Sequence, residues 1–229
     1  MSMLQEREIT MLPPGVRVYL PRESLRKRRL VNDLFSKAEM RDFGELDLPT
    51  LDYYESITRG VSQDLARRTY QLVDDEGELL ALRPDATAQV AKILSGRLST
   101  DELPGRYCYS CRNFRAFELR RGELREFQQF GAEILGKNRF QSDLDLMIFA
   151  LEIIEDLELE DAVMDLGHVG LYKGIVNGTG LSDQSRRELW SKIHRKNTRE
   201  LGELLKDLAL DDDCKDLLQQ LPTMYGEEE

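Results

Sequence analysis

The stretch Asn113–Gly136, NFRAFELRRGELREFQQFGAEILG, decides the fold. Its centre, Arg120-Arg121-Gly122-Glu123, is a turn signal. Phe114, Ala116 and Leu119 lie before it, and Leu124, Phe127, Phe130, Ile134 and Leu135 follow. Apolar residues alternating with charged ones on both sides of a polar turn predict two antiparallel strands. On the second strand Arg125, Phe127, Gln129 and Glu133 are separated by even offsets and share one face. Gln128, Phe130 and Ala132 point the other way. A row of Arg, Gln and Glu within an apolar strand is costly unless something polar meets it. Two readings stay open at this level: a ligand, or an ordinary solvated sheet face.

Working outward, the 229 residues suffice for one large domain or a domain with an appendage. With 41% hydrophobic residues a substantial core is possible, and 33% charged residues fit a soluble protein. No run approaches the roughly 18 apolar residues of a membrane span. The N-terminus, MSMLQEREIT, has no apolar signal core, so the expected location is cytoplasmic. The net charge of -11 argues against a broad nucleic-acid footprint. Cys108, Cys111 and Cys214 are an odd, small set, as expected of reduced thiols. Cys108 and Cys111 have C-x-x-C spacing, but on a strand an offset of three sends them to opposite faces, so structural thiols are expected.

In chain order, Pro21 introduces a helix over 22–40 with a stripe of Leu30, Val31, Leu34, Phe35 and Ala38. A strand over Phe43–Leu48 stops at Pro49. A short helix or loop covers 53–68. A hairpin pairs 69–73 with 78–82 around Asp75-Glu76-Gly77. Asp85 is placed as the N-cap of a helix over 88–94. A helix over 142–157 and a short strand over Ala162–Leu166 follow. Helices cover 182–194, 197–207 and 211–220. The domain reading is therefore a core over 1–180 and a helical insertion over 181–229. Strands outnumber crossovers, which gives an α+β fold: an antiparallel sheet with helices on one face.

No phosphate loop, dinucleotide fingerprint or nucleophile elbow is present. His168 and His194 lack the spacing of a metal clasp. No metal and no cofactor is expected.

Several ordered motifs carry a resemblance. Leu12-Pro13-Pro14-Gly15, the helix with its strand ending at Pro49, Leu82-Arg83-Pro84-Asp85-Ala86-Thr87, and Phe114-Arg115 with Arg125–Glu133 resemble the class II aminoacyl-tRNA synthetase core, in its histidyl branch. The resemblance covers roughly 12–180. Phe117 stands where these synthetases carry the glutamate that holds adenine, and Asp85 replaces a glutamate. The chain reaches Glu229 without the family's third motif. With Asp165–Leu171 and Leu221-Pro222 before Tyr225-Gly226, it is most similar to the synthetase-like regulatory subunits of ATP phosphoribosyltransferase. Such subunits continue through further strands, so the sheet is expected to be incomplete.

That resemblance implies a non-catalytic, allosteric role in histidine biosynthesis. The implied partner is the short catalytic phosphoribosyltransferase, in a hetero-oligomer with histidine feedback. It implies self-association through helix 22–40 and the strand ending at Pro49, and no need of tRNA. It implies a free-histidine pocket made of Asp85, Thr87, Arg115, Gln129 and Glu133. The alternative is a truncated histidyl-tRNA synthetase catalytic core.

Overall fold

The computed structural model describes residues 11–97, 103, 105–116, 123–136 and 140–226. The chain divides into two compact units, Met1–Ala162 and Val163–Glu229.

The first unit opens with α1 (Pro21–Glu39), which starts at Pro21 where a missing N–H costs nothing. The Glu23 carboxylate accepts from the Leu20 N–H at 3.2 Å and supports that end. Two short strands, β1 (Gly44–Glu45) and β2 (Leu51–Tyr53), lead to α2 (Tyr54–Thr58) and α3 (Gln63–Arg67). The hairpin β3 (Gln71–Val73) and β4 (Leu79–Leu82) turns where expected. Asp74 Oδ1 accepts from the N–H groups of Glu76 and Glu78, and Gly77 supplies a φ of 85°. Then come α4 (Thr87–Ser95), β5 (Gly105–Phe114), β6 (Glu126–Leu135) and α5 (Phe140–Asp156).

These strands form two three-stranded sheets, in the orders β1-β5-β6 and β2-β4-β3. β5 and β6 are antiparallel over ten residue pairs, from Gly105 opposite Leu135 to Phe114 opposite Glu126. The expected strand pair is therefore present; its turn, at 117–122, lies outside the described residues. β1 joins β5 in parallel, the one parallel pairing among the described strands.

Helices cover both faces of the β5–β6 pair, not one. On one face Tyr107, Tyr109, Cys111 and Leu135 pack with Ala86, Val90 and Leu94 of the α4 segment. On the other, Cys108, Phe130, Ala132 and Ile134 pack with Phe35 and Ala38 of α1 and with Leu146, Phe149 and Ile153 of α5. Counting strands against crossovers does not show this, because α1 and α5 both return to the side of the sheet opposite α4. Cys108 and Cys111 do fall on opposite faces.

Three local expectations are corrected. The strand over Phe43–Leu48 shrinks to Gly44–Glu45, the pair in register with Tyr107 and Cys108 of β5. Residues 162–168 form no strand; among the described residues no neighbouring strand offers a ladder. The N-cap of α4 is Ala86, while Asp85 Oδ1 accepts from the Thr87 N–H at 3.0 Å.

The second unit is helical: α6 (Gly170–Val176), α7 (Asp183–His194), α8 (Thr198–Asp207) and α9 (Asp212–Gln220). Ser182, Asn197 and Asp211 cap α7, α8 and α9 by accepting from the N–H groups of Ser185, Glu200 and Cys214. Tyr172, Val176, Leu189, Ile193, Leu201, Leu205, Cys214 and Leu218 form its core. Among the described residues no helix is long and apolar enough to cross a membrane.

Candidate functional site

The site is built where β4 runs into α4 and meets the β5–β6 pair. Period two along β4 places Arg83 on the side of fully buried Ala81, and Arg83 is itself only 1% exposed. A buried guanidinium needs acceptors in several directions. Its Nε donates to Asn113 Oδ1 at 3.0 Å. Nη1 donates to the carbonyls of Leu48 and Pro49 and to Gln89 Oε1. Nη2 donates to the Arg112 carbonyl at 2.9 Å. The Arg83 main chain is pinned as well, donating to Thr50 O and accepting from Phe114 N. One side chain thus ties both sheets and the start of α4 together.

From that anchor the segment Pro84–Thr87 presents its polar atoms toward the strand pair. Arg115 Nε donates to the Pro84 carbonyl at 2.9 Å, and its Nη2 donates to Asp85 Oδ2 at 3.2 Å. The Arg115 guanidinium lies over the Phe127 ring, 4.9 Å from its centre. Thr87 Oγ1 donates to Glu133 Oε1 at 2.8 Å, and the Tyr109 hydroxyl donates to the same oxygen at 3.1 Å. Gln129 Oε1 accepts from Asn113 Nδ2, and Asn113 returns to Arg83.

All five residues singled out from sequence therefore belong to this corner, in two linked sets. Arg115, Asp85, Thr87 and Glu133 form one chain of contacts, and Gln129 joins through Asn113 and Arg83. The face is neither solvated nor dry: Gln129 and Glu133 are half-buried. Only Oε1 of Glu133 is engaged; Oε2 has no partner among the described residues. Arg125 does not share in these contacts, and its Nε is buried with no acceptor among the described residues. Phe117, which the motif comparison weighed against adenine binding, lies outside the described residues.

Tyr109, Asn113, Arg83 and Gly131 were not singled out. Tyr109 stands opposite Gly131, and its ring crosses over that glycine to reach Glu133. A Cβ at Gly131 would sit 2.3 Å from the Tyr109 Cζ. The signal was available: alternation in Tyr107, Tyr109, Cys111 and Asn113 puts all four on the face of Gln129 and Glu133. Burial raises the Tyr109 hydroxyl well above its ordinary pKa, so it remains a neutral donor. Burial also raises the Cys108 thiol, to about 11, with the Glu45 carboxylate adding to the effect, and raises Cys111. Neither is a reactive thiolate near neutrality. His168 Nδ1 accepts from the Gly170 N–H at 3.1 Å, a helix-entry contact. No cluster of His, Cys, Asp or Glu among the described residues could hold a metal ion.

The family described as "Histidyl-tRNA synthetase" matches residues 15–229. The chain belongs to the histidyl-tRNA synthetase family. Within it, the chain is 33% identical over 216 residues to the ATP phosphoribosyltransferase regulatory subunit of Geobacter sulfurreducens, covering 94% of this chain and 49% of that protein. It is 31% identical to the subunit of the same name from Caldanaerobacter subterraneus, covering 95% and 56%. A solved ATP phosphoribosyltransferase regulatory subunit/histidyl-tRNA synthetase from Bacillus halodurans superposes with a TM-score of 0.78 at 24% identity, over 93% of this chain and 55% of that one. Histidyl-tRNA synthetase from Nostoc gives a TM-score of 0.70 at 17% identity, over 95% and 49%. These structures establish the class II synthetase-like fold. The chain spans about half the length of the curated relatives it matches.

Proposed function

We propose that this family member serves as the synthetase-like part of a regulatory subunit of ATP phosphoribosyltransferase in histidine biosynthesis, and that its polar corner receives free histidine. The reading rests on the relatives that carry that name and on one observation in the site. Thr87 and Tyr109 converge on a single oxygen of Glu133 and leave the other open among the described residues. A fixed carboxylate with one free oxygen suits an imidazole N–H, and it rejects analogues that leave it unpaired.

The other roles follow from charge. Asp85 and the Thr87 hydroxyl meet the α-ammonium group. Arg115, over the Phe127 ring, meets the carboxylate by exchanging part of its contact with Asp85. Gln129 bridges the amino-acid backbone. In this reading the chain itself transfers no phosphoribosyl group. It activates a short catalytic subunit in a hetero-oligomer and passes histidine feedback to it, and the coupling is reciprocal: the partner changes histidine affinity by the same factor. Self-association through α1 and the segment ending at Pro49 belongs to the same proposal.

Calorimetric titration of histidine into the natural protein tests the pocket. Saturable heat is expected, with affinity at least about tenfold weaker in Glu133→Gln, the loss of one charged hydrogen-bond acceptor. Equal heats from both proteins would sink the assignment. Co-purification with a short phosphoribosyltransferase, and its activation, tests the partner. Vigorous histidine-dependent exchange between ATP and pyrophosphate would overturn the regulatory role in favour of a synthetase.

A further inference from the structure

The helical unit carries a second, unassigned feature. In α6, Tyr172, Lys173 and Val176 recur at three- and four-residue steps, as do Arg186, Arg187 and Trp190 in α7. These six residues face one another across a cleft of about 510 Å³, a size typical of small-molecule sites. Its floor is aromatic. The Tyr172 and Trp190 ring centres lie 5.1 Å apart with their planes inclined at 47°. The Tyr172 ring is fixed, because its hydroxyl donates to the Arg186 carbonyl at 2.5 Å. Trp190 remains 37% exposed toward the opening.

The rim is cationic in a chain whose net charge is -11. Elsewhere in this unit Lys192 pairs with Glu200 and Arg199 with Glu203. Lys173 and Arg187 have no carboxylate partner among the described residues. Arg186 spends its Nε on the Leu181 carbonyl at 3.1 Å, which holds its head group beside the cleft. Cations gathered beside exposed aromatic surface give the cleft a positive potential that an anion can meet.

We propose that this cleft binds a nucleoside phosphate, with the base stacked on the exposed part of Trp190 and the phosphate held by Lys173 and Arg187. Stacking on an aromatic floor is tolerant of base identity because every base has a π face. The phosphate supplies the charge the rim lacks, through charge-assisted hydrogen bonds. Neither half of the ligand satisfies the cleft alone. The site is built from the helical unit alone, and its test does not involve Glu133.

Trp190 is the only tryptophan in the chain, so fluorescence excited selectively at tryptophan reports on this cleft. ADP is expected to change that fluorescence saturably, with adenosine and pyrophosphate each binding at least about tenfold more weakly. The double variant Lys173→Gln/Arg187→Gln is expected to lower ADP affinity to the level of adenosine while its circular dichroism matches the parent. Should that variant misfold, ionic strength provides the same reading without substitution: ADP binding weakens as salt rises, and adenosine binding does not. No saturable response to ADP in the millimolar range would overturn the assignment. So would ADP affinity indifferent to both the substitution and salt.

Discussion

The two faces of the β5–β6 pair have the same strands and the same register, yet they are held in opposite ways. One face is a dry interlayer. Phe130, Ala132, Ile134 and Cys108 meet α1 and α5, and Phe43 stacks on Phe149 with ring centres 5.4 Å apart. The other face mixes apolar contacts to α4 with a hydrogen-bonded cluster that runs from Arg83 through Asn113 to Gln129, and from Thr87 and Tyr109 to Glu133. The dry face tolerates small errors of position, since dispersion contacts are many and individually weak. The polar face does not, since each buried donor or acceptor that loses its partner costs its full desolvation. A sheet with one face of each kind is anchored by packing on one side and by geometry on the other. That combination suits a site whose side chains must be in place before a ligand arrives.

The largest effect is expected on the dry face. Phe149 is 2% exposed, and Phe149→Ala removes its stacking on Phe43 and opens a cavity. The loss is about 3–5 kcal/mol, read as a fall in the urea midpoint with an unchanged slope. A loss below about 1 kcal/mol would mean that α5 does not depend on this packing.

The polar face should come close to that figure through one residue. Arg83→Met keeps the volume and removes every donor. It strands Gln89 Oε1 and the carbonyls of Leu48 and Arg112, and leaves Asn113 Oδ1 with only the Cys111 thiol, while the Pro49 carbonyl keeps Gln89 Nε2. The expected cost is about 3 kcal/mol, because several buried acceptors lose their partner at once. If Arg83→Met stayed within about 0.5 kcal/mol of the parent, the contrast between the faces would collapse.

How much of this contrast was legible beforehand depended on range. The strand pair, the stripe of α1, the turn at Gly77 and the capped helices after Ser182 all follow from residues within a few positions of each other. The opposite placement of Cys108 and Cys111 is a parity argument and needs no partner. Arg83 is different. Its acceptors Pro49 and Arg112 lie 34 and 29 residues away, so no local pattern announces a buried guanidinium. The five candidate site residues were collected by motif resemblance, and what motif could not supply was their wiring. Asp85 pairs with Arg115, while Thr87 rather than Arg115 meets Glu133. The supposed strand at Ala162–Leu166 failed for the reverse reason. A local alternation was present, but no described neighbour completes a ladder.

A smaller effect is expected where the Tyr109 ring crosses Gly131. Gly131→Ala would drive its Cβ into the Tyr109 ring, which is 1% exposed and has nowhere to retreat. Overpacking of this kind costs about 1–3 kcal/mol. The diagnostic is coupling: in a Tyr109→Ala background the same glycine substitution should cost almost nothing, since the obstructing ring is gone. Equal costs in both backgrounds would show that the glycine serves the backbone of β6 and not the path of Tyr109 to Glu133.

The smallest effect lies at the margin of the dry face, where Arg106 stacks 4.5 Å from the centre of the Phe43 ring. Its Nη1 donates to Asp145 Oδ2 at 3.0 Å, and its Nε is buried with no acceptor among the described residues. The hydrogen bond from Arg106, helped by Gln141, holds the Asp145 carboxyl below its ordinary pKa. A group whose folded pKa is depressed adds stability above its unfolded value and loses it as pH falls through the folded value. Asp145→Asn should therefore be slightly less stable than the parent near neutrality, and the two should converge in acid. The gap should also narrow in high salt, because the pair is partly exposed and is screened. A gap that persisted unchanged into acid would assign the role of Asp145 to hydrogen bonding rather than charge, and the boundary between the packed face and its charged rim would have to be drawn inside Arg106.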